Sequence, residues 1–213
     1  MTDTPKARRG RPPRAKDDQA VRKALLLAAR QCLAEKSAKS VTIRELAERA
    51  GTNSAMIRYY FENKEGLFTA TLDHLLSEGM MKRAEDLHTL APRQRSLKLV
   101  RMFLQQHREH PWLARLIADE VLNSDNSLRE QFINGPAAKG AKMMRGYIEM
   151  QKVDGYFRAD LDVSMAAVSL ISLLVFPFIG RPVVKASHGI DITEIDLDVW
   201  SEHTVSIFEG GCR

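Results

Sequence analysis

Residues 42–64, from Thr42 to Lys64, read TIRELAERAGTNSAMIRYYFENK, and this stretch decides the fold. Thr42 is a good N-cap, and Glu45 three residues on completes a capping box. Leu46, Ala47 and Ala50 recur at helical spacing, so a helix is expected over 42–50. Gly51 ends it, because glycine takes the left-handed conformation without a Cβ penalty. Asn53 or Ser54 then caps a two-turn helix to Phe61, with Ile57 and Phe61 inward and Tyr60 beside them. Ala55, Met56, Arg58 and Tyr59 fall on its other side. An outward face of arginine and tyrosine, rather than a solubilising run of Glu and Lys, has something to touch. The spacing is that of a helix-turn-helix, whose second helix lies in the DNA major groove.

Outward from this stretch, the bulk numbers agree with a helical protein of one or two small domains: 213 residues, 44% hydrophobic and 7% aromatic. Six of the 32 Lys and Arg residues, but one of the 27 Asp and Glu, lie in residues 1–16. The net charge of +5 therefore sits wholly in this arm, and the rest of the chain is balanced, which points to a polyanion partner for the N-terminus. The arm is rich in proline and arginine and is expected to be disordered alone. Arg9-Gly10-Arg11-Pro12 within it resembles an AT-hook core. Two readings stand: a generic phosphate-attracting tail, or Arg9 and Arg11 laid into a narrow A·T-rich minor groove. Cys32 and Cys212 suggest no disulfide framework, no signal peptide is expected, and Met165–Ile179, broken by Pro177, is too short to span a membrane. A cytoplasmic setting fits.

Other helices follow from apolar periodicity: about 17–36, with Val21, Leu25, Ala28 and Cys32 inward, and a long fourth helix capped by Asn63 that extends toward Leu87. Further helices are expected over 92–110, 111–122, 127–153 with a bend near Gly135-Pro136, 162–178 and 196–209. Residues 180–189 read as a loop, and Gly210-Gly211 as the stop of the last helix. The domains are drawn as a disordered arm over 1–16, a helix-turn-helix domain over 17–66 and a second helical domain over 67–213.

Leu25 to Leu72 resembles the N-terminal domain of the TetR family of bacterial transcriptional regulators. The resemblance rests on Leu25-Leu26-x-Ala28-Ala29, on Thr42-Ile43-Arg44-Glu45-Leu46-Ala47-x-x-Ala50-Gly51, and on Tyr60-Phe61-x-x-Lys64-Glu65-x-Leu67. Three positions depart from the family pattern: Cys32 replaces an aromatic, Ser37 a glycine, and Arg58 a common tyrosine. The last suggests an operator preference of this chain's own. The resemblance implies an all-α protein: a three-helix DNA-binding domain, then a helical ligand-binding and dimerisation domain. It implies a homodimer on a palindromic operator in double-stranded DNA, most simply a repressor released by a small-molecule effector.

In that frame Arg44 reaches a base or phosphate, and Arg58 suits bidentate readout of guanine. Ser54, Ala55 and Met56 offer small contacts, while Thr42, Tyr59, Tyr60 and Lys64 suit phosphates. Dimerisation is expected through the last two helices, by Val168, Ile171, Val175, Phe178, Trp200, Thr204, Ile207 and Phe208; alternatively these are one subunit's core. Met80, Phe103, Trp112, Glu120, Met143, Tyr147 and Phe176 are candidates for lining an effector cavity, with Met81 and Met144 beside them, although a Met or aromatic at helical spacing also serves as plain core. His107 and His110, three apart, lack an evident third metal ligand. No nucleophile elbow, P-loop, dinucleotide fingerprint or zinc-hydrolase pair is present, so neither an enzyme nor a cofactor or metal is expected. The competing reading is an architectural, chromosome-organising DNA-binding protein without an inducer, or one governed by a protein partner.

Overall fold

A computed structural model describes residues 15–76 and 86–213, and among these every regular element is helical. In chain order they are α1 (Ala15–Glu35), α2 (Ile43–Arg49), α3 (Ser54–Phe61), α4 (Lys64–Leu75), α5 (Pro92–Glu109) and α6 (Trp112–Leu116). After α6 come α7 (Ser127–Phe132), α8 (Ala138–Val153), α9 (Val163–Ile179), α10 (Arg181–His188) and α11 (Leu197–Cys212). Short 3-10 turns cover Ala38–Ser40 and Leu87–Thr89. Two wide-turn π segments follow: Ile117–Leu122 prolongs α6 and is followed by a short loop over 123–126, whereas Ile133–Ala137 joins α7 to α8 without a break. The second contains Pro136, whose missing N–H accounts for the bend expected there. The arm's Arg9 and Arg11, and Met80 and Met81 in the fourth helix's expected extension, lie outside the described residues.

Two apolar cores organise the helices. The first joins Leu25, Ala29, Cys32 and Leu33 of α1 with Leu46 of α2, Ile57 and Phe61 of α3, and Leu67, Phe68 and Leu72 of α4. It also takes in Trp112, Leu113 and Leu116 of α6 and Leu128 of α7, so the reading head shares its core with the helices that follow it. The second is built by α5, α8, α9 and α11 around Leu99, Phe103, Ile148, Leu170, Leu174 and Val205. A buried polar network ties α5 to α8: the Arg95 guanidinium donates to the carbonyls of Leu87 and Leu90, to Gln151 and to Asp154. Gln151 in turn donates to the Pro92 carbonyl and to Ser96, whose hydroxyl meets Tyr147 at 2.7 Å. Every polar group left unpaired in an apolar core costs on the order of 1–3 kcal/mol, so such networks form nearly complete or not at all.

Two sequence expectations fail here. Residues 180–189 form helix α10 rather than a loop: Pro182 stands in its first turn, where no amide is needed, and Gly189 at φ 68° closes it. The last helix runs through Gly210-Gly211 to Cys212, because that end is anchored. Cys212 is buried and its carbonyl accepts from the Arg158 amide at 2.9 Å, while Arg213 pairs with Glu209 at 2.6 Å. This offsets the roughly 1 kcal/mol that each helical glycine costs. No single described helix is long and apolar enough to cross a membrane; α9 with α10 passes only as a pair bent by 78°.

Candidate functional site

The reading head is assembled by local chemistry and locked by contacts distant in sequence. The Thr42 hydroxyl accepts from the Glu45 amide at 3.2 Å, starting α2. The Glu45 carboxyl is held below its ordinary range chiefly by Lys36, with the Thr42 backbone contributing. Gly51 turns the chain at φ 65°, and the Thr52 amide reaches back to the Ala47 carbonyl at 2.9 Å. In α3, Ile57 and Phe61 are buried in the first core, whereas Ser54, Ala55, Arg58 and Tyr59 are exposed. Tyr59 is 70% exposed, its ring meeting that of Tyr60 edge-on with centroids 4.8 Å apart. Thr42 and Arg44 are exposed at the start of α2, Arg44 forming an ion pair with Glu48 at 2.7 Å. Met56 is half-buried and packs against the core.

Tyr60 and Lys64 stand apart from this exposed set. The Tyr60 hydroxyl donates to Asp18 of α1, which, helped by burial, pushes the phenol up to about 12. The Lys64 ammonium donates to the carbonyls of Ala38 and Val41, both at 3.1 Å. Their polar groups are engaged in fastening α3 and α4 to α1 and the turn after it. A residue that pattern reading passed over is Gly66: a Cβ there would sit 2.0 Å from the Phe61 carbonyl oxygen. Asn63, whose side chain accepts from the Gly66 amide at 2.7 Å, starts α4 at that crossing, as expected from its capping chemistry. The signal in the sequence was a glycine at the third position of a helix, where propensity alone disfavours it.

A cavity of about 420 Å³ lies among α4, α5, α6, α8 and α9. Its walls are almost wholly apolar, with Leu72, Leu113, Ile117, Met144, Ile171 and Val175 prominent. Of the residues expected to line an effector site, Phe103, Met143 and Met144 do so. Trp112 instead fills the first core, Tyr147 belongs to the buried network, and Phe176 is 63% exposed on an outer groove. Glu120 is buried beside Asn126, whose amide donates to it at 3.0 Å, in a small cleft against Leu33 and Lys36. These corrections share one cause: periodicity marks the apolar side of a helix without saying what it meets. The same reading missed Gln106 and His107, adjacent polar residues that line the cavity. His107 has aromatic neighbours rather than metal ligands, its ring stacking on Phe103 at 4.3 Å, and no metal-binding group exists among the described residues.

The dimerisation candidates divide likewise. Val168 and Ile207 are more than half exposed. Phe178, Trp200, Thr204 and Phe208 are buried within the subunit, Phe178 packing on Trp200 with ring centroids 5.3 Å apart. Ile171 and Val175 are half-buried between the cavity and an outer groove along α9 and α11. That groove also exposes Met165 and Phe176, an apolar face with nothing packed on it among the described residues.

The profile of bacterial regulatory proteins of the tetR family matches residues 25–71, and that of the tetracyclin repressor-like C-terminal domain matches residues 92–207, more than half of the chain. The chain belongs to the TetR family. It is a helix-turn-helix transcriptional regulator and not an enzyme. It is 25% identical over 183 residues to the HTH-type transcriptional repressor NicS of Pseudomonas putida, covering 85% of this chain and 86% of that one. The fold is similar to that of the fatty acid degradation regulator FadR from Bacillus halodurans, with a TM-score of 0.75 at 19% identity over 90% of this chain and 99% of that one. It is similar too to FadR from Bacillus subtilis in complex with stearoyl-CoA, with a TM-score of 0.74 at 17% identity over the same shares. Within this TetR-family chain the cavity and the core of the head share α4 and α6 as walls.

Proposed function

We propose that this TetR-family regulator is a homodimeric repressor that binds a palindromic operator and leaves it when a small molecule fills the cavity. The observation that carries the reading is that α6, with the π segment that prolongs it, serves both parts. Leu113 and Ile117 line the cavity, while Arg115 donates to the carbonyls of Leu33 and Lys36 at the C-terminal end of α1. A ligand pressing on α6 therefore acts on the reading head without a flexible link between. It shifts the population only as far as its affinity differs between the two packings.

On this reading Arg58, Tyr59, Ser54 and Ala55 face the major groove, with Thr42 and Arg44 beside them. Arg9 and Arg11 add salt-dependent affinity from the arm. Tyr60 and Lys64 act mainly as fasteners, and Met56 supports the helix from beneath. The Met165, Val168, Phe176 and Ile207 face meets a second copy, which provides the two reading helices that half-sites one turn (~34 Å) or more apart require. The working place is the bacterial cytoplasm, on the nucleoid when bound.

The test is selection of genomic fragments by the purified protein, followed by anisotropy titration on the sites recovered. A few palindromic sites, each binding two chains, are expected. Hundreds of A·T-rich sites without a shared palindrome would move the protein to the architectural reading.

A further inference from the structure

The cavity's polar atoms carry information about what fills it. Gln106 is 4% exposed and its side-chain amide nitrogen has no hydrogen-bond partner, although it lines the cavity. A buried amide donor without an acceptor is expensive, so the site is complete only when something accepts from it. His107 follows on the same helix, 5% exposed, and also lines the cavity. Its Nδ1 lies 3.0 Å from the Phe103 carbonyl. A carbonyl only accepts, so Nδ1 carries the proton and Nε2 is left with a lone pair. Burial pushes this imidazole down to about 4, which keeps the ring neutral near pH 7. One unmet donor and one unmet acceptor thus belong to consecutive residues of α5 that both line an apolar chamber.

Charge narrows the choice further. No carboxylate lines the cavity among the described residues. Of its two cationic wall residues, Lys139 is already paired with Asp73 at 2.6 Å and Arg145 is exposed. Among the described residues neither a carboxylate nor a buried cation lines the cavity to compensate an ion held inside it, and an uncompensated buried ion is heavily penalised. At about 30 Å³ per water-sized group, 420 Å³ holds on the order of 14 non-hydrogen atoms.

We infer that the cavity takes an uncharged, mainly hydrocarbon molecule bearing one hydroxyl group, whose oxygen accepts from the Gln106 amide and whose proton is donated to His107 Nε2. A ketone or ether satisfies only Gln106; a hydrocarbon satisfies neither. This rests on the reading of the cavity as the effector site and adds the effector's chemical class.

The test is calorimetric titration of the full chain near neutral pH with five probes sharing one frame: 4-heptylphenol, its methyl ether, heptylbenzene, 4-heptylbenzoate and 4-heptylbenzylammonium. The phenol is expected to bind about tenfold or more tighter than heptylbenzene, with the ether between them. In Gln106→Met, which keeps the side chain's length, the phenol's advantage over heptylbenzene shrinks to a few-fold. Tightest binding by either ion, equal binding of phenol and hydrocarbon in the wild type, an ether as tight as the phenol, or no binding at all overturns the inference. The probe comparison in the wild type decides the matter even if the variant does not fold. Operator release is read separately by anisotropy: phenol binding that leaves DNA bound refutes the effector reading while the ligand class stands.

Discussion

Gly66→Ala sets two effects of opposite sign against each other. Helix propensity favours alanine by about 0.5–1 kcal/mol. The structure opposes it, because the new Cβ would lie 2.0 Å from the Phe61 carbonyl oxygen, where real contacts do not fall below 3.0 Å, so about 1 Å of movement is forced. The obstacle is backbone, and it cannot swing aside as a side chain would. Phe61 is buried in the first core, and its carbonyl accepts from the Asn63 amide at 2.8 Å. Forced repacking of this kind costs about 1–3 kcal/mol, and the strained turn bond about 1 more. The sum favours destabilisation by roughly 1–3 kcal/mol, which for a chain of this size lowers the melting temperature by roughly 3–10 °C. Gly146→Ala is the control: this glycine of α8 is exposed with nothing within 4 Å of an added Cβ, so propensity acts alone and the variant melts slightly higher. Thermal unfolding followed by circular dichroism, with amide exchange to locate the loss in α3 and α4, reads both. A Gly66→Ala protein that melts at or above the wild type refutes the packing argument.

Arg58→Ala is expected to cost about 1–3 kcal/mol on the operator and little on random DNA, measured by competition anisotropy; retained discrimination would remove Arg58 from the readout. Deleting residues 1–14 should make the dependence of log affinity on log salt shallower by about one for each phosphate the arm neutralises, and an unchanged slope would mean the arm never touches DNA. Tyr60→Phe loses the bond to Asp18 that fastens α3 to α1, visible as a small drop in melting temperature. His107 sets a pH dependence. Its folded value of about 4 lies below the unfolded 6.5, so the unfolded chain binds the extra proton and stability falls as pH drops from 6.5 toward 4. The loss reaches on the order of 3 kcal/mol, and denaturant melts of His107→Met should lack that component.

The N-terminal head was legible in the sequence because its signals act over three or four residues. Thr42 with the Glu45 amide, Gly51 in the turn and Asn63 with the Gly66 amide are caps whose partners are their own near neighbours. The failures have physical reasons too. Residues 180–189 read as a loop, yet Pro182 stands in the first turn of α10, and Gly210-Gly211 read as a stop, yet they are carried inside α11 by the burial of Cys212.

By itself, then, the sequence determined the helix-turn-helix, the outward face of Arg58 and Tyr59, and the charged arm, since each follows from local backbone chemistry or from composition. Only the tertiary structure decided what the apolar helices meet. Val168, Val175 and Phe178 lie on one helix, yet the first is mostly exposed at the edge of the cavity, the second is half-buried between the cavity and the outer groove, and the third is core. Tyr60 and Lys64 gain their partners from residues 23 to 42 positions away. Gln106 and His107 acquire their meaning because five helices leave a space in front of them. A helical repeat specifies a direction around one axis; what stands in that direction is set by how the other helices pack.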